Sequence, residues 1–138
     1  QPTLFDFNEY SLDYYDYTDA AWYLGPRDGT DRSLVGPYVD FNGLNDYIVT
    51  ATTPVLVEGR FVGIAGVDLS VDKVERRLVS VRRALADDDF RGEVTIVNDV
   101  DRIVASTSAQ HIAGSLLRAA DVGRHPIPGV SWSIAVVG

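Results

Sequence analysis

The sequence predicts an α+β domain, in which helices pack on a sheet of about five mostly antiparallel strands. Three observations predict it. Two β-rich runs flank Glu58-Gly59-Arg60, apolar residues recur every three or four positions from Val71 to Leu85, and two short β-rich runs flank Asn98 to Asp101. With 138 residues and 46% hydrophobic composition, the chain suits one domain over 1–138. It is expected to bury roughly two-thirds of its unfolded surface.

Residues 1 to 20 mix Asp and Tyr with little apolar periodicity, which predicts irregular chain with one short strand near Leu4 to Phe7. Asp16 to Leu24 suits a short helix capped by Thr18 or Asp19, and Gly25, Pro26, Asp28 and Gly29 then predict a loop. From Asp46 to Val57 the β-branched and aromatic content predicts a strand, Glu58-Gly59-Arg60 a turn, and Phe61 to Leu69 the second arm of a hairpin. Gly63 and Gly66 inside that arm mark a bulge or a close approach, where a bound ligand would fit.

Ser70 can cap a helix whose apolar residues Val71, Val74, Leu78, Val81 and Leu85 share one face, with Asp72 and Arg76 paired on the wet side. Asp87, Asp88 and Asp89 oppose the negative end of its dipole, so it should stop near Ala86. A second hairpin follows, with strands Glu93 to Val97 and Arg102 to Ser106. Ser108 to Leu117 is expected to form a short helix, with Ile112, Leu116 and Ala120 facing inward. Pro126, Pro128 and Gly129 break the chain, and Val130 to Val137 closes it as a strand with Trp132 in the core.

Composition excludes several chemistries. There is no Cys, which removes disulfides, thiolate catalysis and Cys-based zinc sites. A net charge of -8 repels phosphate backbones, so direct nucleic-acid binding is not expected. No apolar run approaches the roughly 18 to 20 residues of a spanning helix. The absence of Met, even at position 1, predicts a piece cut from a longer protein. His111 and His125 lack ligand spacing, and Asn98 to Asp101 lacks the carboxylate pattern of a calcium loop. No phosphate loop or nucleophile motif is present, so neither catalytic residues, nor a metal, nor a cofactor is expected.

Between Tyr15 and Asp68 the chain reads as an aromatic box with a carboxylate: Tyr15, Trp22, Tyr23 and Tyr38 supply π faces, and Asp68 supplies the counter-charge for a cationic nitrogen. Tyr10, Tyr14 and Tyr17 are read as structural aromatics. The plain structural role for Asp68 is to bond the start of the Val71 helix, and for Asp40 and Asp46 it is turn capping.

The order Tyr15, Trp22-Tyr23, Gly36-Pro37-Tyr38-Val39-Asp40, Thr52-Thr53-Pro54-Val55, then Gly59-Arg60-Phe61-Val62-Gly63-Ile64-Ala65-Gly66-Val67-Asp68-Leu69 resembles the Cache family of sensor domains. So does Asp101 to Ser106 with Ile112 to Leu116. The resemblance implies a PAS-like module, the ligand-sensing part of chemoreceptors, sensor kinases or, in some proteins, transcription regulators. By similarity to the amino-acid-binding subfamily, the pocket falls on Tyr15, Trp22, Tyr23, Tyr38 and Asp68, with Asp40 as a further candidate.

That subfamily carries an Arg two residues before the Trp, where this chain has Ala20. The missing guanidinium shifts the expectation from an amino acid to an amine or quaternary ammonium, with Arg27 as a substitute clamp should the ligand be an amino acid or carboxylate instead. Two rival readings are a structural or dimerisation module without ligand and a small hydrolase. The resemblance further implies the extracytoplasmic side of a membrane receptor, or a cytoplasmic one-component regulator, with homodimerisation as one route for signalling.

Overall fold

The computed structural model describes residues 8–12, 15–40, 46–86, 90–118 and 123–137. In chain order these form α1 (Ala21–Arg27), β1 (Ser33–Val39), β2 (Tyr47–Val57), β3 (Arg60–Ser70), α2 (Val71–Ala86), β4 (Glu93–Val97), β5 (Ile103–Ser106), β6 (Gly123–Pro126) and β7 (Ser133–Val137). The α+β class is as the sequence predicts, and every described strand pairing is antiparallel. Instead of one sheet of about five strands, there are two: a three-stranded sheet in the order β1-β2-β3 and a four-stranded sheet in the order β5-β4-β7-β6.

The β2–β3 hairpin turns at Glu58 and Gly59, whose φ values of 50° and 76° are both positive. Two such residues give the turn that follows the right-handed twist of paired strands. From the turn the register runs Val57↔Arg60 and Leu56↔Phe61, then shifts so that Val55 faces Gly63 and Thr50 faces Asp68. Val62 is therefore the extra residue of a β-bulge. One of the two expectations for Gly63, a bulge, is met beside it. At Gly66 the close neighbour is the chain itself, since an added Cβ would lie 2.8 Å from Thr52 Cγ2.

Both sheets meet in one core. Val49 of β2, Val71 of α2, Val104 of β5 and Trp132 pack together, with Leu34, Tyr47, Ile96 and Ile127 against them. A second cluster, Val97, Ile103, Leu117 and Ala135, fills the four-stranded sheet. Burying each Val, Leu or Ile side chain among them contributes about 1.5–3 kcal/mol. Trp132 takes the core place predicted for it. The sheets are also tied by Asn98 Nδ2, which donates to the Gly36 carbonyl at 3.0 Å.

α2 has the predicted bounds and the Asp72–Arg76 pair. Only the start of its apolar face is buried: Val71 is 4% exposed, whereas Val81 and Leu85 are 42% and 41% exposed.

Several expectations need correction. The first helix lies later than Asp16 to Leu24. Thr18 folds back onto Asp16 through both its amide and its hydroxyl, a turn that competes with helix, and α1 begins at Ala21 with no side-chain cap. β1 occupies a stretch that the sequence leaves as loop, because Gly36 and the cis Gly36-Pro37 peptide sit at an irregularity between Val35 and Tyr38 on an edge strand, where Pro is tolerated. Ser108 to Leu117 forms turns and one isolated bridge, Arg102↔Leu116. Gly114 there has φ +89°, outside helical space. Ile112 and Leu116 consequently face solvent instead of inward, and so does Tyr10, against the structural role expected of it. β6 is a strand that the sequence does not predict, and the short strand expected near Leu4 to Phe7, Tyr14 and Ala120 lie outside the described residues.

Gly114 gives a test. A Cβ there would sit 2.1 Å from the Tyr47 hydroxyl, whereas at Gly59 nothing lies within 4 Å. Both positions have positive φ, so Gly59→Ala should cost about 1–2 kcal/mol. Gly114→Ala should cost more, about 2–4 kcal/mol once the clash is added. Urea unfolding of the two variants measures the difference; equal losses would show that Tyr47 does not press on Gly114.

Candidate functional site

Successive residues of a strand point to opposite faces, so β2 serves two environments. Val49 points into the core between the sheets, while Thr50 and Thr52, both buried, point to the other face. Thr50 lies directly across from Asp68, and its hydroxyl donates to Asp68 Oδ1 at 2.7 Å. The Tyr38 phenol, from β1, bonds the same hydroxyl. A threonine hydroxyl has one hydrogen. With that hydrogen given to Asp68, Thr50 accepts from Tyr38, and the order of donation is Tyr38 to Thr50 to Asp68.

Tyr15 and Asp40 join this group. Burial first, then the charges of Asp40 and Asp68, hold the Tyr15 phenol above its ordinary pKa of 10.0. The Tyr38 phenol is raised from the same value, first by burial. Its bond with Thr50 works the other way, and Asp68, Asp40 and Tyr15 add to the rise. Two carboxylates thus act on two half-buried phenols, a field that favours a positive charge between them. The Asp40 amide donates to the Asp46 carbonyl at 2.9 Å, and Asp46 also caps the Tyr47 amide at 2.8 Å, the turn-capping role expected for it.

Trp22 and Tyr23 belong to a neighbouring cluster carried by α1. Tyr17 stacks on Trp22 with ring centres 6.2 Å apart, and Tyr23 meets Tyr17 edge-on at 5.1 Å and Phe61 at 5.8 Å. The mount of α1 follows from Pro26. Proline has no amide hydrogen, so the Trp22 carbonyl four residues earlier lacks its helical donor, and Thr52 Oγ1 donates to it at 2.7 Å. The two groups therefore hang from same-face neighbours of β2, Thr50 and Thr52, about 7 Å apart along the strand.

Of the six residues predicted from sequence, Tyr15, Tyr38, Asp40 and Asp68 form one electrostatic group, and Trp22 and Tyr23 sit in the ring cluster beside it. Asp68 bonds Thr50, which sets aside the helix-start role as the account of its carboxylate. Asp68 is solvent-exposed. Arg27, the suggested clamp, pairs with Asp28 at 2.9 Å. Sequence alone does not single out Thr50, Thr52 or Phe61, nor Tyr17 as more than a structural aromatic. A Thr within a β-branched run looks like strand propensity, and only the register reveals its partner. A cavity of about 680 Å³ along β1 includes Ala21, Arg32 and Trp132 but none of the six. Residues 41–45, which connect β1 to β2, lie outside the described residues.

A family model described as methyl-accepting chemotaxis protein-like, first PDC sensor domain, matches residues 5–76. Among solved structures, the ligand-binding domain of the Pseudomonas fluorescens chemoreceptor CtaA in complex with L-serine is similar at 19% identity and TM-score 0.64, over 90% of this chain and 62% of that one. Its complex with L-valine gives 20% and 0.66, over 91% and 61%. The ligand-binding domain of the Pseudomonas aeruginosa PAO1 amino acid chemoreceptor PctC in complex with GABA gives 20% and 0.61, over 93% and 64%. At these identities the likeness is one of fold, and the chain spans about three-fifths of the solved chains' length. No curated protein sequence matches it.

The register and the phenols each give a prediction. Inserting one Ala between Ile64 and Ala65, beyond the bulge, should move Asp68 opposite Val49, onto the core face; the protein should lose more than about 3 kcal/mol of stability in denaturant, and a stable insertion variant would refute the register argument. As for the phenols, the folded chain holds the Tyr15 and Tyr38 protons more tightly than the unfolded chain. Their contribution to stability is complete below pH 10.0 and is lost as pH rises through the raised values. Asp68→Asn should lower both ionisation points, as read by phenolate absorbance, while burial keeps them above the ordinary range.

Proposed function

The chain belongs to the methyl-accepting chemotaxis protein-like, first PDC sensor domain family, and on that premise we propose that it senses an amino acid as part of a chemoreceptor, on the extracytoplasmic side of a membrane. One observation carries the proposal: Asp68 and Asp40 act together on Tyr15 and Tyr38, on the same sheet face as the α1 aromatics. In this assignment Asp68, backed by Thr50 and Tyr38, receives the ligand's ammonium, with Asp40 as second carboxylate. Tyr15 and Tyr38 wall the site, and Trp22 and Tyr23 present ring faces to the cation and to the apolar part of the ligand.

The complexes of the solved neighbours support an amino acid over a simple amine: they hold L-serine, L-valine and GABA, each with an ammonium and a carboxylate. Chemoreceptor neighbours likewise support a receptor over the transcription regulator considered from sequence. A simple amine is the second reading, favoured by Ala20 in the place of a carboxylate-binding Arg and by Arg27 being engaged with Asp28.

A thermal-shift screen of amino acids, amines and organic acids separates these readings. Stabilisation by amino acids, lost in Asp68→Asn, is the expected result. Stabilisation by amines alone would favour the second reading, and stabilisation by acids alone would contradict both. Ala20→Arg should tighten α-amino acid binding by about 10- to 100-fold, the worth of one charge-assisted hydrogen-bonded pair, without tightening simple amines. No gain, with folding intact, would mean the ligand carboxylate does not lie beside position 20.

A further inference from the structure

The cavity of about 680 Å³ beside β1 lies apart from the Tyr38–Asp68 group and has a distinct chemistry. It follows the outer edge of β1, the strand that pairs with β2 on one side only. Ser33, Leu34, Val35 and Gly36 form one wall, α1 reaches it through Ala21, and the turns at Asn98-Asp99 and Gly129-Val130-Ser131 form the other. Trp132, 6% exposed, and Val130 make it apolar on one side. Its volume is in the range of small-ligand sites.

An edge strand offers unpaired peptide N–H and C=O groups, which an extended peptide can use by adding as a further strand. Two charges mark the cleft. Arg32 stands at the N-terminal end of β1 and has no ion-pair partner among the described residues. Asp99 stands beside Asn98, whose amide is bonded to the Gly36 carbonyl at the other end of this half-buried stretch. Four residue steps separate Arg32 from Gly36, about 13 Å of extended chain. A peptide of two to four residues spans that distance once the reach of an Arg side chain is allowed for.

We propose that this cleft is a second binding site, which takes a short peptide with free termini as an added strand on β1. The charges fix its direction: its carboxylate meets Arg32 and its ammonium meets Asp99, so the peptide runs antiparallel to β1, the pairing the rest of the sheet uses. Small side chains alternate between the α1 side and Trp132. The site uses none of the residues assigned to the amino acid.

The chain has two Trp, at 22 and 132, so Trp22→Phe leaves Trp132 as the only indole. Titrating that variant with Ala-Ala and Ala-Ala-Ala should give a saturable change in its fluorescence, weakened at least tenfold by N-acetylation or C-amidation of the peptide. Adding Arg32→Gln or Asp99→Asn, both exposed positions, should weaken it by a similar factor, whereas adding Asp68→Asn should leave it unchanged. No saturable change with either peptide would overturn the proposal, as would a change that persists in Arg32→Gln and vanishes in Asp68→Asn. Free L-alanine should not reproduce the signal; if it does, the cleft is not a peptide site. None of these outcomes requires the amino-acid assignment to be correct.

Discussion

One extra residue in a strand governs which side of the sheet carries the candidate site. Were Val62 to pair with Val55 instead of bulging out, the register set by the Glu58-Gly59 turn would bring Asp68 opposite Val49, facing the core between the sheets. A carboxylate there would be an unpaired buried charge. With the bulge, Asp68 pairs with Thr50 on the opposite face, and the order Tyr38 to Thr50 to Asp68 becomes possible. The same parity points Thr52 at α1. Core, site and helix mount are thus consequences of one register.

The electrostatic group shows how such a register becomes chemistry. Thr50 is buried and fully committed, giving its hydrogen to Asp68 and accepting from Tyr38, so the carboxylate is oriented from behind. Tyr15 and Tyr38 keep their protons to higher pH than free phenols because burial and two negative charges oppose a third. The aromatic cluster on α1 has a different character. Its rings contact one another and, through Tyr23, Phe61 of β3, while a backbone carbonyl ties the helix to β2.

Much of this is legible in the sequence where the signal is local and periodic. α2, the β2–β3 hairpin and β4 follow from spacing and turn residues, and their bounds fall within a residue or so of expectation. The family resemblance supplies Tyr15, Tyr38, Asp40 and Asp68, which the fold brings together. What is not legible depends on long-range partners. β1 hides behind Gly36-Pro37, and its status as a strand depends on β2 lying beside it. The region from Ser108 to Leu117 has helical spacing, but Gly114 must take a positive φ under Tyr47, and tertiary packing overrides the pattern. The role of Thr50 depends on a bulge that Gly63 only hints at.

The attachment of α1 through Pro26 and Thr52 has a consequence for how this surface can change over time. The anchor joins a main-chain oxygen to a threonine, and neither atom belongs to the indole at 22 or the phenol at 23. Those rings can be exchanged without breaking that bond. Recognition can drift while the frame that presents it stays put, much as a lens can be swapped in a fixed barrel.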